Sequence, residues 1–170
     1  MVMKVTTSGF LDTGNIMIIP VFEGSNKAPN NATTNLSRSA SIAVKSAFAS
    51  DSFTGKAEES LSVWTKNCQV IIIGMGKKDD LTAKKSRDTG AKCFASLSKN
   101  HGTKIVVRYT SGWKINNMIA FTEGMILRDY VFDKYQKKDE DDKGPWSLIG
   151  QTAERYESAF RSAIENVYSV

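Results

Sequence analysis

Cys68-Gln69-Val70-Ile71-Ile72-Ile73-Gly74-Met75 is an apolar, β-branched run that leads directly into Gly76-Lys77-Lys78-Asp79-Asp80. A strand with one wet face alternates apolar and polar residues. This run does not alternate, so it predicts a strand at 68–75 covered on both faces. It is also far too short to span a bilayer. Beyond the polar turn a helical pattern extends from about Leu81 to Lys99. Asp79-Asp80 are expected to cap this helix, with Ala83, Gly90, Cys93, Phe94 and Leu97 as its inner stripe. The unit is therefore buried strand, tight turn, helix.

Working outward, residues 15–22 (NIMIIPVF) repeat the signature of a strand buried on both faces, and Pro20 marks its far end as an edge or an exit. Residues 2–8 are β-prone, with turn chemistry at Gly9 and Asp12-Thr13-Gly14. Gly24 to Asn35, rich in Asn, Thr, Ser and Pro, reads as a surface loop. A helix from Leu36 to Ala49 follows, with Asn35 as its N-cap and Leu36, Ala40, Ala43 and Ala47 on one face. Residues 60–65 join the 68–75 strand through Lys66-Asn67, close enough for a hairpin. Further on come a strand at 103–109, a helix at 113–134, the charged loop Lys137 to Lys143, a short strand at 146–149 and a helix at 151–168. In that last helix Ala153, Tyr156, Phe160, Ala163 and Val167 form one apolar stripe, expected to be partly exposed. Strands alternating with helices specify an α/β protein, a three-layer α/β/α arrangement around a mixed, largely parallel sheet with one antiparallel pair. Strand order stays open at this level.

With 170 residues, 41% of them apolar and 24% charged, the chain suits one folded domain. The start, Met-Val-Met-Lys-Val-Thr-Thr, lacks the apolar core of a signal peptide, so a cytoplasmic location is expected, with no membrane partner. Cys68 and Cys93 read as reduced, buried thiols, a disulfide between them being the second choice. The single histidine, His101, sits in Asn100-His101-Gly102 and reads as a loop or helix-end residue without catalytic or metal-binding partners. Gly74-Met75-Gly76-Lys77-Lys78 occupies the place of a phosphate loop but lacks the spaced GK[ST] ending and the third glycine of GxGxxG. It reads as a structural turn. Asp139-Glu140-Asp141-Asp142 lacks calcium-loop spacing and is flanked by lysines, as in a hydrated loop. None of these assigns a catalytic residue.

Four fragments, taken in order, carry a resemblance. Phe53-Thr54-Gly55-Lys56-Ala57-Glu58-Glu59 has the form F-x-G-K-x-x-E, and Gly74-Met75-Gly76-Lys77-Lys78 the form G-[LM]-G-K-K. Arg87 with Gly90-Ala91 fits R-x-x-G-A, and Glu123 to Tyr135 fits E-G-x-x-L-x-x-Y-x-F-D-x-Y. Together, over about 52–138, they resemble the N-terminal domain of the leucyl aminopeptidases. The resemblance implies a macro-domain-like fold at 1–150 and an interdomain linker helix at 151–170. It also implies a parent metallopeptidase whose catalytic domain, absent here, holds two divalent ions, zinc or manganese. That domain's K-G-x-T-F-D-[ST]-G-G and N-T-D-A-E-G-R-L motifs do not occur in this sequence. The chain therefore reads as a non-catalytic accessory domain, truncated from a longer protein, with no cofactor of its own. Its implied partners are the catalytic domain and, at full length, the other subunits of a hexamer. The alternatives are a stand-alone macro-like module binding ADP-ribose and a DNA-contacting domain.

For DNA, the candidate residues are Lys78, Lys85, Lys92 and Lys99. They recur every seven residues, nearly two helical turns, and so form one outward stripe. Such a stripe is able to follow a phosphate backbone, but no arginine–aromatic interleaving accompanies it. A solvated helix face is the reading preferred over DNA.

Overall fold

The computed structural model describes residues 4–8, 16–24, 28–29, 32–34, 36–50, 53–65, 68–97, 104–135, 147–152 and 154–168. His101, Lys99 and the Asp139–Asp142 run lie outside them. The chain runs β1 (Lys4–Ser8), β2 (Ile16–Val21), α1 (Arg38–Ala49), β3 (Ser60–Trp64) and β4 (Gln69–Gly74). A 3-10 turn (Lys78–Asp80) leads to α2 (Ala83–Ser96), β5 (Lys104–Arg108), α3 (Ile115–Tyr135), β6 (Ser147–Gln151) and α4 (Glu154–Tyr168).

Six strands form one sheet in the order β1-β6-β5-β2-β4-β3. Every neighbouring pair is parallel except the β3–β4 hairpin. The two-residue period of the strands divides the core into two layers. Ile16, Ile18, Ile71, Ile73, Ile105 and Val107 meet Phe94, Phe121, Met125 and Phe160 from α2, α3 and α4. Met17, Ile19, Val70, Ile72 and Val106 meet Val44, Ala47 and Phe48 of α1 on the opposite face. β2 and β4 are buried along their whole length, as their unbroken apolar runs require. This is the expected three-layer α/β/α sandwich with a largely parallel sheet.

Several local expectations need correcting. The N-cap of α1 is Ser37, whose Oγ accepts from the Ala40 amide at 3.3 Å, and not Asn35. Val44 takes the buried position assigned to Ala43. Asp79-Asp80 form the 3-10 turn, and α2 starts later on Thr82, whose Oγ1 accepts from the Lys85 amide at 3.2 Å. Asp79 and Asp80 precede a leucine that keeps extended backbone, so the true cap is the hydroxyl just before the periodic stretch. Ala83 is exposed, and Ser86 replaces it on the inner stripe. There Ser86 is satisfied by donating to the Asn117 carbonyl at 2.6 Å.

Pro20 lies within a central strand and not at an edge of the sheet. β2 is paired with β5 only as far as Ile18, so Pro20 stands where that pairing has ended. The Pro20 carbonyl accepts instead from the Trp113 indole N–H at 3.2 Å.

Candidate functional site

Two of the sequence motifs converge on the C-terminal ends of β2 and β4. The Gly76 amide donates to Gly55 O at 3.0 Å, the Met75 amide to Val21 O at 2.8 Å and the Gly74 amide to Glu59 O at 2.8 Å. The Glu59 carboxylate folds back on its own loop. It accepts from the Thr54 amide at 2.8 Å and the Gly55 amide at 3.0 Å. The Thr54 amide bond is the main reason the Glu59 carboxyl sits below its ordinary value. Gly55 and Gly76 both take left-handed backbone, with φ of 81° and 76°. At Gly74 a β-carbon would collide with Lys56 O. The glycine-rich turn after β4 is thus a structural knot. Its amides are spent on carbonyls of the chain and offer nothing to a phosphate.

In an open α/β sheet a ligand normally enters where the strand order reverses, here between β2 and β5. Aromatic side chains fill that position. Trp113, 3% exposed, lies 5.3 Å from the Phe22 ring and 5.1 Å from the Tyr109 ring. Tyr109 Oη donates to Met118 O at 3.1 Å and meets Thr122 Oγ1 at 2.8 Å. Burial holds the Tyr109 phenol far above its ordinary value, so it stays protonated and serves as a packing group. Sequence reasoning missed this plug, because nothing local to Trp113 shows which strand ends it will cover.

The described residues do not fit a metal centre. Among them no group of three or more His, Cys, Asp or Glu is placed to hold an ion. Burial pushes the Cys93 thiol up to about 12, so it is no thiolate ligand at neutral pH. Cys68 is likewise a free thiol raised by burial. Arg108, wholly buried, is lowered by burial to about 10 and stays a cation. Its guanidinium donates to Gln151 Oε1 at 2.8 Å and Thr34 O at 2.7 Å, tying β6 and the loop before α1 to β5.

The lysine stripe is only partly assembled on one helix. Lys78 sits on the 3-10 turn with its ammonium over Gly112. Lys85 Nζ donates to Asp80 O at 3.1 Å, closing that turn. Lys92 Nζ pairs with Glu58 at 2.7 Å.

A groove that the sequence did not reveal opens between the β3–β4 hairpin and α2. It has a volume of about 360 Å³. β3 is an edge strand whose Leu61 and Val63 pack toward the α1 face, while Ser60, Ser62 and Trp64 are exposed. Thr89, Lys92, Cys93 and Ser96 of α2 form the facing wall, and Ile71 and Ile73 of β4 the floor. Gln69, 9% exposed, lines the same space.

The sequence matches the cytosol aminopeptidase family, N-terminal domain, over residues 18–139. It is 31% identical over 135 residues to a probable cytosol aminopeptidase of Aquifex aeolicus (strain VF5), covering 76% of this chain and 27% of that protein. It is 28% identical over 131 residues to a probable cytosol aminopeptidase of Ehrlichia ruminantium (strain Gardel), covering 73% of this chain and 25% of the relative. The chain thus spans about a quarter of the length of these relatives. Among solved structures, a tomato leucine aminopeptidase mutant superposes with a TM-score of 0.68 at 15% identity, covering 98% of this chain and 35% of the other. The bottromycin maturation enzyme BotP in complex with Mn gives 0.52 at 14% identity, covering 86% and 28%. At these identities the structural likeness shows the fold.

Proposed function

The chain belongs to the cytosol aminopeptidase family, whose N-terminal domain it carries, and from that premise we propose that it is the non-catalytic accessory domain of a leucyl aminopeptidase. The parent removes N-terminal amino acids from peptides with two divalent ions, zinc or manganese, held in a catalytic domain outside this sequence. Residues 1–150 form the accessory domain, and 151–170 lead toward the catalytic domain as a linker helix. The domain acts in assembly of the full-length hexamer and in controlling access to the active site.

The carrying observation is the fate of the family motifs. The F-x-G-K-x-x-E and G-M-G-K-K segments close on each other through backbone amides and the Glu59 carboxylate. The R-x-x-G-A and E-G segments form the α2–α3 crossing at Gly90 and Gly124. What this sequence shares with the family is used to build a scaffold. Two-metal hydrolysis needs clustered ligands, and the described residues supply no such cluster. No helix among them is long and apolar enough to cross a membrane.

The ADP-ribose alternative loses ground at the two places a phosphate would use, the spent amides of the Gly74–Gly76 turn and the aromatic plug at Trp113. For Lys78, Lys85, Lys92 and Lys99 the solvated-face reading stays ahead of DNA contact, since Lys85 and Lys92 have local acceptors. The decisive assay is direct. The pure chain, given zinc or manganese, is expected to release no leucine from a chromogenic leucine amide, and release would overturn the reading. A duplex titration of the Lys85→Glu, Lys92→Glu double variant at two salt concentrations tests the DNA alternative. Binding that is strong and lost in the variant would restore it.

A further inference from the structure

We propose that the outer edge of β3 pairs with the β3 edge of a second copy of this chain, antiparallel about a two-fold axis at Ser62, joining two sheets into one. The inference goes beyond the accessory role in peptide hydrolysis and does not rest on it, since it concerns β3 and its surroundings alone.

The first observation is the direction in which the peptide groups of β3 point. In an antiparallel pair, bonded and non-bonded residue pairs alternate. The Gly74 amide donates to Glu59 O at 2.8 Å, and the Thr65 amide to Cys68 O at 2.8 Å. With Ser60 opposite Ile73 and Trp64 opposite Gln69, the positions bonded to β4 are therefore the odd ones, from 59 to 65. The amides and carbonyls of Ser60, Ser62 and Trp64 turn outward, and β3 is the last strand of the sheet. Among the described residues nothing bonds to the outward groups of Ser60 and Ser62.

The second observation is the lack of protection. Edge strands are normally guarded by charged side chains, a proline or a bulge. Ser60-Leu61-Ser62-Val63-Trp64 has no charge and no proline, and its register with β4 is unbroken. Trp64, 60% exposed, is the most exposed large apolar side chain among the described residues.

The third observation identifies the occupant as the strand itself. An axis through Ser62 sets Ser62 against Ser62, Leu61 against Val63 and Ser60 against Trp64 of the second copy. All the outward-facing residues then form bonded pairs at once, about six N–H···O bonds at two per pair. Side chains match on both faces. Leu61 meets Val63 on the α1 side, where each already packs against the core. On the other side each tryptophan lies across the small Ser60 of the opposite copy, whose groove toward α2, about 360 Å³, has room for the ring. Lys92 lines that groove and offers its cation to the indole face. β3 sets no like charges against each other, although the chain carries a formal charge of +5. A five-residue strand pair with two tryptophans is a small interface, below about 1,200 Å². The dimer is accordingly weak, with a Kd on the order of 10 to 100 µM.

Sedimentation equilibrium of the chain between about 5 µM and about 1 mM tests the pairing, and a monomer–dimer equilibrium is expected. Ser62→Pro deletes the amide at the axis. That amide points away from β4, so the variant should keep the parent's unfolding midpoint at low concentration while dimerising at least about tenfold more weakly. Ser62→Lys sets two ammonium groups opposite each other, and its weakened dimer should recover in part as salt rises. Cross-linking with copper phenanthroline reads the register. In Ser62→Cys the two α-carbons stand about 5.5 Å apart, within reach of a disulfide. In Ser60→Cys they lie four residue steps apart, about 13 Å, and should not cross-link. Both variants carry Cys68→Ser as well, Cys93 being buried. A monomer throughout, dimers undiminished in both Ser62→Pro and Ser62→Lys, or equal cross-linking of the two cysteine variants would overturn the proposal.

Discussion

Helix α2 has two flanks built in opposite ways. Toward α3 it is closed. A β-carbon on Gly90 would fall on Phe121 O, and one on Gly124 would fall on Arg87 O, so the two backbones touch with no side chain between them. Ser86 bonds across this seam to Asn117 O, and Arg87 reaches Glu123 at 2.9 Å. Toward β3 the same helix stands away from the sheet and presents Thr89, Lys92 and Ser96 to open space. One flank is fixed by the absence of side chains, the other is left accessible by polar ones. The contrast separates what fixes the fold from what is free to meet a ligand.

The sharpest way to break the comparison is to put a methyl group into the closed seam. Gly124→Ala is expected to cost about 3 kcal/mol in chemical denaturation, since the clash is with a helix backbone that cannot swing aside. Gly90→Ala should behave similarly, and the double variant should cost less than the sum because one displacement of α3 relieves both contacts. A change below about 1 kcal/mol in either single variant would show that the seam is looser than its geometry. Ser86→Ala comes next. It leaves Asn117 O without its buried donor and should cost about 1.5 kcal/mol by urea denaturation.

Thr82→Ala, at the start of the helix and common to both flanks, should cost about 1 kcal/mol, read as a lowered thermal midpoint. The smallest effect belongs to the open side. The Glu59 carboxyl is lowered from 4.5 in the folded chain, chiefly by the Thr54 amide. Its stabilisation is therefore complete above the unfolded value and is lost as pH falls through the lower folded one. The thermal midpoint of the parent chain should fall below pH 4.5 more steeply than that of Glu59→Gln. Parallel pH profiles would deny Glu59 its role in the knot.

Much of this was legible in sequence, and the exceptions share a cause. β2 and β4 announced themselves because burial on both faces leaves their runs apolar, with Gln69 at the start of β4 the one polar exception. The role of Gly124 in close packing was also readable, since a glycine inside an apolar helical stripe has few other uses. The start of α2 was misplaced because two aspartates imitate a cap, whereas the deciding feature is the backbone turn completed at Thr82. Arg108 was not singled out at all. Within Ile105-Val106-Val107-Arg108 it looks like a strand end reaching solvent. Its burial depends on Thr34 and Gln151, which arrive from distant parts of the chain. The groove was equally hidden, for it exists only because β3 is last in a sheet whose order the sequence left open.

The sheet order also bears on how the chain folds in time. β3 and β4 are neighbours in sequence and pair as a hairpin, a local event that closes a short loop. β1 is paired solely with β6, Lys4 facing Ser147 and Ser8 facing Gln151, so nearly the whole chain lies between partners. During synthesis β1 emerges well before β6 and waits for it before this pairing forms. That contact is of high order and should set the slow step of folding. Refolding followed by hydrogen exchange should protect the β4 amides first and those of β1 last.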